Sequence, residues 1–325
     1  MERLYPKNAW LTPSELFKPY YSYSLANFMV NQMENTNAKQ LRIVEIGPGT
    51  GTNADSILEY LKNYHLDLYK SCSYTLVEIS PGLALECEAL MLKKHSQLYN
   101  LDQIQIFNQS IFDFKVKESK HCFVIGLEIL DNMPHDRLYM NKETGRFDQQ
   151  AVISMERDGE TTEERLSESR VDISDALTLE FLKLYESMPQ LDHIALTHKI
   201  KFSGVIKRLK DLIDQVRFKE AMVNNVYAPT ATLGLFKHVN RLIPNHQIIL
   251  ADFDCFLTST SYGELKGINQ PIITNKLEGP TKWQEYDTYL IERGAADICF
   301  PSDFQFLQHA YESITNKPAS VYKNQ

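Results

Sequence analysis

Two acids three residues apart, Glu128 and Asp131, stand in the segment Gly126-Leu127-Glu128-Ile129-Leu130-Asp131-Asn132-Met133-Pro134-His135-Asp136. A carboxylate pair at this spacing can grip a planar cation of the guanidinium type, whose forked N–H donors match carboxylate edges. A guanidinium nitrogen is a poor nucleophile, because its pKa lies above about 12. An acid pair can orient it and offset charge as a proton leaves. His135 adds a group able to accept a proton. Upstream, Gly47, Gly49 and Gly51 alternate through Glu45-Ile46-Gly47-Pro48-Gly49-Thr50-Gly51-Thr52. Bare backbone there lets a ligand lie close. Glu45 can brace that turn or face a cationic part of the ligand. Glu78, followed by Ile79, closes a later apolar run, where a carboxylate can accept ribose hydroxyls. Gln109, Ser110 and Ile111 follow a third run, in the place where a base would lie.

The elements that must position these residues are legible as apolar runs. Leu41 to Ile46, Ser73 to Ile79, Ile104 to Phe107 and Cys122 to Gly126 read as buried parallel strands. Amphipathic helices are expected from Thr52 to Asn63 and from Leu83 to Ser96. This alternation predicts an α/β, doubly wound, mostly parallel sheet with right-handed connections. Ligands of such sheets bind outside the carboxyl ends of the strands, so these distant residues are expected in one crevice. A dinucleotide fingerprint would need a third glycine at position 52, and Thr52 stands there.

Around this frame, a helix is expected from Thr12 to about Met33, with Leu16, Tyr20, Leu25, Phe28 and Met29 buried. Asn31 to Gln40 reads as a polar linker. Arg137 to Ile153 is strand-like, with a turn at Asn141–Gly145, and Glu156 to Glu168 reads as a charged loop. Ser174–Met188, Ser203–Lys219 and Ala231–Ile243 read as inserted helices. Gln247 to Phe253 returns to a strand pattern ending in Asp252 and Asp254. Asn269–Asn275 and Asp297–Phe300 read as strands, and Phe304–Thr315 as a helix capped by Asp303. Residues 1–40 are thus expected to form a helical segment packing on a domain of 41–325, with a helical and loop insertion at about 137–245. Trp283, Tyr286 and Tyr289 read as core packing.

The chain has 325 residues, 43% hydrophobic and 23% charged, with a net charge of −8. The absence of a basic, aromatic-rich run argues against a nucleic-acid partner and leaves a basic acceptor as the better match. No stretch approaches the about 18 apolar residues of a membrane span. Cys72, Cys87, Cys122, Cys255 and Cys299 have no metal spacing and are odd in number, which predicts buried thiols in a reducing compartment and no metal site. The N-terminus is neither a signal nor a transit peptide, so a presequence, if there is one, is expected outside this chain.

The pattern E-x-G-x-G-x-G resembles motif I of S-adenosylmethionine-dependent methyltransferases. Together, EIGPGTGT, YTLVEIS-PGLA and GLEILDNMPHD resemble the MidA-like protein arginine methyltransferases, which include the mitochondrial complex I assembly factor seven. Thr12–Phe17, Ala251–Asp254 and Asp297–Phe304 resemble further blocks of that family, in the fungal and plant style. Gly126-Leu127 before the acid and Asp252-Phe253-Asp254 depart from its commoner forms. The resemblance implies a Rossmann-like methyltransferase fold and S-adenosyl-L-methionine as cofactor. It implies symmetric dimethylarginine formation on a protein in the mitochondrial matrix, in respiratory complex assembly. By motif match, Glu45, Gly47, Gly49, Gly51, Thr52, Glu78, Ile79, Gln109, Ser110 and Ile111 would hold the cofactor, and Glu128 and Asp131 the arginine. A methyltransferase-fold assembly factor without turnover, and a small-molecule methyltransferase, remain open alternatives.

Overall fold

The computed structural model describes residues 13–36, 40–157, 164–188, 225–256, 265–276 and 283–322. The chain divides into two compact units, Met1–Asn132 with Gly234–Asp252, and Met133–Leu233 with Phe253–Gln325.

The first unit contains helices α1 (Pro13–Leu16), α2 (Tyr20–Thr36), α3 (Thr52–Tyr64), α4 (Leu66–Ser71) and α5 (Pro81–Asn100). Its strands are β1 (Arg42–Ile46), β2 (Ser73–Glu78), β3 (Ile104–Asn108), β4 (Cys122–Leu127) and a later one, His246–Ala251. They form one five-stranded sheet, with β1 central between β2 and β4, β3 beyond β2, and His246–Ala251 beyond β4. Every pairing is parallel, with Ile43 opposite Tyr74 on one side and Phe123 on the other. Successive residues of a strand face opposite sides. Ile43 is 1% exposed and Val44 6%, so both faces of the central strand are covered. That explains why these strands read as continuous apolar runs. One face packs on α2, α3 and α5 through Met29, Met33, Ile57, Leu58, Leu61, Cys87 and Met91.

The N-terminal region departs from expectation. The single helix is broken at Phe17–Pro19, because Pro19 has no N–H to donate back to Glu15. Leu16, Tyr20 and Phe28 are exposed, while Ala26, Met29, Val30 and Met33 form the buried stripe. The expected linker is helical as far as Thr36.

The second unit carries β5 (Asp136–Met140), β6 (Phe147–Arg157), β7 (Glu164–Asp172), α6 (Ala176–Ser187) and β8 (Asn225–Ala228). α7 (Thr230–Leu242) follows, then β9, the His246–Ala251 strand, then β10 (Ile272–Lys276), β11 (Trp283–Glu285), β12 (Asp297–Cys299) and α8 (Phe304–Thr315). An antiparallel sheet runs β7-β6-β5-β8, and a smaller one β11-β10-β12. α6 and α8 meet through Phe181 and Phe306, whose ring centroids lie 5.0 Å apart. The expected loop at Glu156–Glu168 is corrected at both flanks: β6 extends to Arg157 and β7 begins at Glu164, paired residue by residue. Their side chains are largely solvent-facing, so no apolar alternation announced them. The strand-like reading of Arg137–Ile153 with a turn at Asn141–Gly145 matches β5 and β6, and the expected helix Ser174–Met188 matches α6. The expected helix Ser203–Lys219 lies outside the described residues.

Cys72, Cys87 and Cys122 are free, buried thiols. Burial pushes the thiols of Cys72, Cys87 and Cys122 up to about 12. Cys255 is exposed and Cys299 half-buried, so the expectation of five buried thiols holds for three.

Gly51 ties the sheet to α5. Its φ is +86°, and a Cβ there would lie 2.8 Å from the Cys87 Sγ. Left-handed backbone costs a side chain about 1–2 kcal/mol, and overpacking about 1–3 more. Gly51→Ala should therefore lose on the order of 2–5 kcal/mol, read as a lower urea midpoint at unchanged slope.

Candidate active site

The strand order reverses between β1 and β4, the place where open α/β sheets open a crevice at their carboxyl ends. Gly47–Gly51 leaves β1, Glu78 ends β2, Gln109–Ile111 leaves β3, Glu128–Asp131 leaves β4 and Asp252 follows β9. The sequence-derived residues are thus gathered at one end of the first unit's sheet.

The glycine turn is bonded to its neighbour strand. Gly47 N donates to Val77 O at 2.9 Å, and Gly49 N donates to Glu78 Oε2 at 3.0 Å. Glu78 Oε1 accepts from Ser80 N at 2.8 Å. One carboxylate therefore ties the turn after β1 to the turn after β2. Two acceptor positions are spent, and an ionised carboxylate has about four. Asn108 Nδ2 donates to Glu78 O at 2.9 Å and to Ile79 O at 3.2 Å, leaving the Ile79 side chain 70% exposed. Ser110 Oγ accepts from Phe112 N at 3.3 Å and caps the short turn Ile111–Asp113. Thr52 Oγ1 lies 3.2 Å from Thr50 Oγ1. Gly49 has φ +57°, and nothing lies within 4 Å of where its Cβ would stand. Its bare backbone face fits a closely apposed ligand.

Glu45 departs from the expectation that it braces the turn. Its carboxylate is buried in the core, accepting from Tyr74 Oη at 2.6 Å and Asn53 Nδ2 at 2.9 Å. Burial raises its pKa, while these two bonds pull it back. It fastens the start of α3 to β2.

Beyond β4, Glu128 N donates to Ala251 O at 2.8 Å, and Glu128 adopts a left-handed φ of +53°. A side chain rarely takes this conformation, and where it does the surroundings impose it. Asp252 imposes the rest of the turn: its Oδ2 accepts from Leu130 N at 2.8 Å and from Asp131 N at 3.1 Å. Asn132 Nδ2 donates to Asp131 Oδ1 at 2.6 Å. Burial pushes Glu128 up to about 7, helped by the charges of Asp252, Asp131 and Glu15. Burial and Asp252 likewise push Asp131 up to about 7. Burial raises the Tyr21 hydroxyl, with Glu128 and Asp252 adding to it. Among the described residues no ion pair neutralises Glu128 or Asp131. Crowded carboxylates of this kind bind a cation well, because its arrival removes their repulsion. Asp252 is the residue that sequence reasoning passed over. Its signal was an acid closing a buried strand, the same signal that singled out Glu78.

In the second unit, His135 stacks on Phe300, with centroids 4.0 Å apart, and its Nδ1 lies 2.9 Å from Met133 O. Burial lowers it to about 4. The imidazole is neutral, Nδ1–H donates to the carbonyl, and Nε2 keeps its lone pair. Of the aromatic cluster, Tyr289 donates its hydroxyl to Glu168.

This geometry is that of a methyltransferase, and the comparison with known proteins agrees. A profile of the S-adenosyl-L-methionine-dependent methyltransferase family matches residues 24–322, and the chain belongs to that family. The cofactor of the family is S-adenosyl-L-methionine, which the open backbone at Gly49 fits. The Schizosaccharomyces pombe protein arginine methyltransferase NDUFAF7 homolog, mitochondrial, is 21% identical over 263 residues, 78% of this chain and 51% of the relative. The chain thus spans about half the length of the curated relative it matches. The kinship with MidA-like proteins read from the motifs rests on these matches. A Burkholderia thailandensis protein crystallised with S-adenosyl-homocysteine superposes with a TM-score of 0.58 at 14% identity, over 94% of this chain and 63% of that one. A native structure of a protein of the same superfamily from that organism gives 0.55 at 14% identity, over 95% and 66%. These two likenesses show the fold.

Two outcomes follow. Gly49→Val should weaken S-adenosylhomocysteine binding at least about tenfold by calorimetry, with a near-wild-type circular-dichroism spectrum, since it blocks the open face and strains the turn. Undiminished binding would remove Gly49 from the ligand face. The second outcome concerns stability. Glu128 and Asp131 titrate higher in the native state than in the unfolded chain, so the native state binds protons between about pH 4 and 7. Stability from this source is present below that window and lost as pH rises through it. Glu128→Gln should therefore raise the melting temperature at pH 8, by about 2–4 °C for about 1 kcal/mol after screening, and leave it unchanged at pH 4.

Proposed function

We propose that the chain is a protein arginine N-methyltransferase that forms symmetric ω-dimethylarginine on a mitochondrial protein, in the service of respiratory complex assembly. One observation carries the substrate class: Glu128 and Asp131 stand together at a strand end whose turn Asp252 holds, and burial, with Asp252 adding to it, lifts the pKa of both. A lysine ammonium could satisfy one such acid, whereas a guanidinium presents a fork to both. The name of the fission-yeast relative supports the arginine acceptor and the mitochondrial setting.

S-adenosyl-L-methionine supplies an activated methyl group. Gly47, Gly49, Gly51 and Thr52 provide the backbone bed, and Glu78 the acceptor for the ribose hydroxyls. Glu45 acts through the packing behind this bed. Ile79, Gln109, Ser110 and Ile111 border the base. Glu128 and Asp131 bind the guanidinium and fix one nitrogen. When methylation makes that nitrogen lose its proton, a carboxylate whose pKa is about 7 is a better acceptor than one near 4. The acids must be ionised to bind the cation, so turnover should climb with pH through an acid limb near 7 that belongs to the coupled pair.

The test uses labelled S-adenosyl-L-methionine, a mitochondrial extract from a strain lacking the gene, and mass-spectrometric localisation of the mark. Label in symmetric dimethylarginine of a protein supports the proposal. Label in lysine or in a small metabolite overturns the acceptor, and no label at all favours a scaffold without turnover. Glu128→Gln removes a contact of the kind that costs on the order of 2–5 kcal/mol when its partner charge is left unpaired. It should abolish most turnover while S-adenosylhomocysteine affinity stays within about threefold, roughly 0.6 kcal/mol. Retained turnover would exclude the guanidinium clamp.

A further inference from the structure

The second unit holds a cavity of about 340 Å³ that the methyltransferase chemistry leaves unused. That volume lies at the low end of small-molecule sites, which run from about 300 to 1,000 Å³. Its polar lining is Arg137, Tyr139, Glu168, Arg170, Thr288 and Tyr289, with Leu265 and Leu290 as the apolar remainder.

The charges in this lining are unevenly spent. Glu168 accepts from the hydroxyls of Tyr139 and Tyr289 and from Arg137 Nη1 at 3.4 Å. Arg137 also donates to Tyr289 Oη at 3.0 Å, and its guanidinium stands 5.0, 5.4 and 5.7 Å from the rings of Tyr139, Tyr227 and Tyr289. Glu168 is therefore satisfied inside the wall. Arg170 is different. It lies on the same face of β7 as Glu168, two residues on. Its guanidinium sits 3.7 Å over the Tyr139 ring, and among the described residues it makes no ion pair. Two guanidinium charges against one carboxylate leave the lining with a net charge of +1. This occurs in a protein whose overall charge is −8. A local positive site on an acidic surface concentrates anions at one point.

Arg170 is also preorganised. The ring beneath it is fixed through the bond from Tyr139 to Glu168, so little side-chain freedom is lost when an oxyanion docks on its fork. We propose that this cavity binds a small oxyanion-bearing metabolite, a phosphate monoester or a carboxylate. Arg170 grips the oxyanion and Arg137 backs it. The Thr288 hydroxyl, which accepts from Leu290 N at 3.2 Å, has its own hydrogen to give to the ligand.

The experiment is calorimetry on the full chain at constant ionic strength, with inorganic phosphate and succinate as separate probes and chloride as control. Saturable binding of one equivalent is expected. Phosphate alone binding identifies a phosphate-bearing ligand, and succinate alone a carboxylate. Arg170→Gln should weaken it about tenfold, the scale of one charge-assisted contact, and Arg170→Lys should recover part of the loss because charge returns without the fork. Arg170 is exposed, so neither variant should change the fold, and S-adenosylhomocysteine affinity serves as the check. Tyr289→Phe, which frees one side of Glu168, should weaken binding as well. Absence of heat with both probes, or binding by Arg170→Gln equal to wild type, overturns the proposal.

Discussion

The first unit depends on keeping like charges together. Glu128, Asp131 and Asp252 would separate if their chains were free to move. They are held by the sheet: β4 and β9 are locked in parallel register from Cys122 opposite His246 to Leu127 opposite Ala251. Asp252 then spends one oxygen on two backbone N–H groups of the neighbouring turn. These bonds partly offset the burial of its charge, and they force Glu128 into a left-handed turn. The core of the sheet thus supplies the free energy that the acid cluster consumes. This is the usual relation between a strained functional turn and an over-determined scaffold.

The glycine turn is built the same way, with a carboxylate again fastening one strand end to the next. Glu78 joins the β1 and β2 turns as Asp252 joins those of β4 and β9. Gly126 completes the arrangement. A Cβ there would lie 2.6 Å from Ile129 Cδ1 and 2.9 Å from Leu250 Cδ2, so the side chains of the acid turn pack on the space it leaves. The departure of Gly126-Leu127 from the commoner family form thus has a packing role.

The central strands β1, β2 and β4 were legible because burial on both faces leaves little polar alternation to confuse the pattern, and the strand ends located the gathered residues. What the sequence hid depends on pairing between distant segments. Asp252 meets Leu130 across 122 positions, and nothing local in Ala251-Asp252-Phe253 tells which turn it will brace. Glu45 was assigned to the turn it precedes, yet alternation along β1 sends its carboxylate into the core, to Tyr74 and Asn53. The end of β6 and the start of β7 read as a loop because their residues are mostly charged and solvent-facing, and the pairing of the two strands holds them. The helix break at Pro19 was written in the sequence. The apolar residues Leu16, Tyr20 and Phe28 concealed it by suggesting one continuous buried face.

Among the described residues β7 stands at the margin of its sheet, with β6 on one side and no strand on the other. A strand in that position offers unpaired backbone groups to any other extended chain. Its sequence, Glu164-Arg165-Leu166-Ser167-Glu168-Ser169-Arg170-Val171-Asp172, carries a charge at five of nine places. A second strand adding there would bring like charges of two molecules into opposition and strip them of water. The polarity that disguised this hairpin in the sequence therefore also guards the protein against edge-to-edge aggregation.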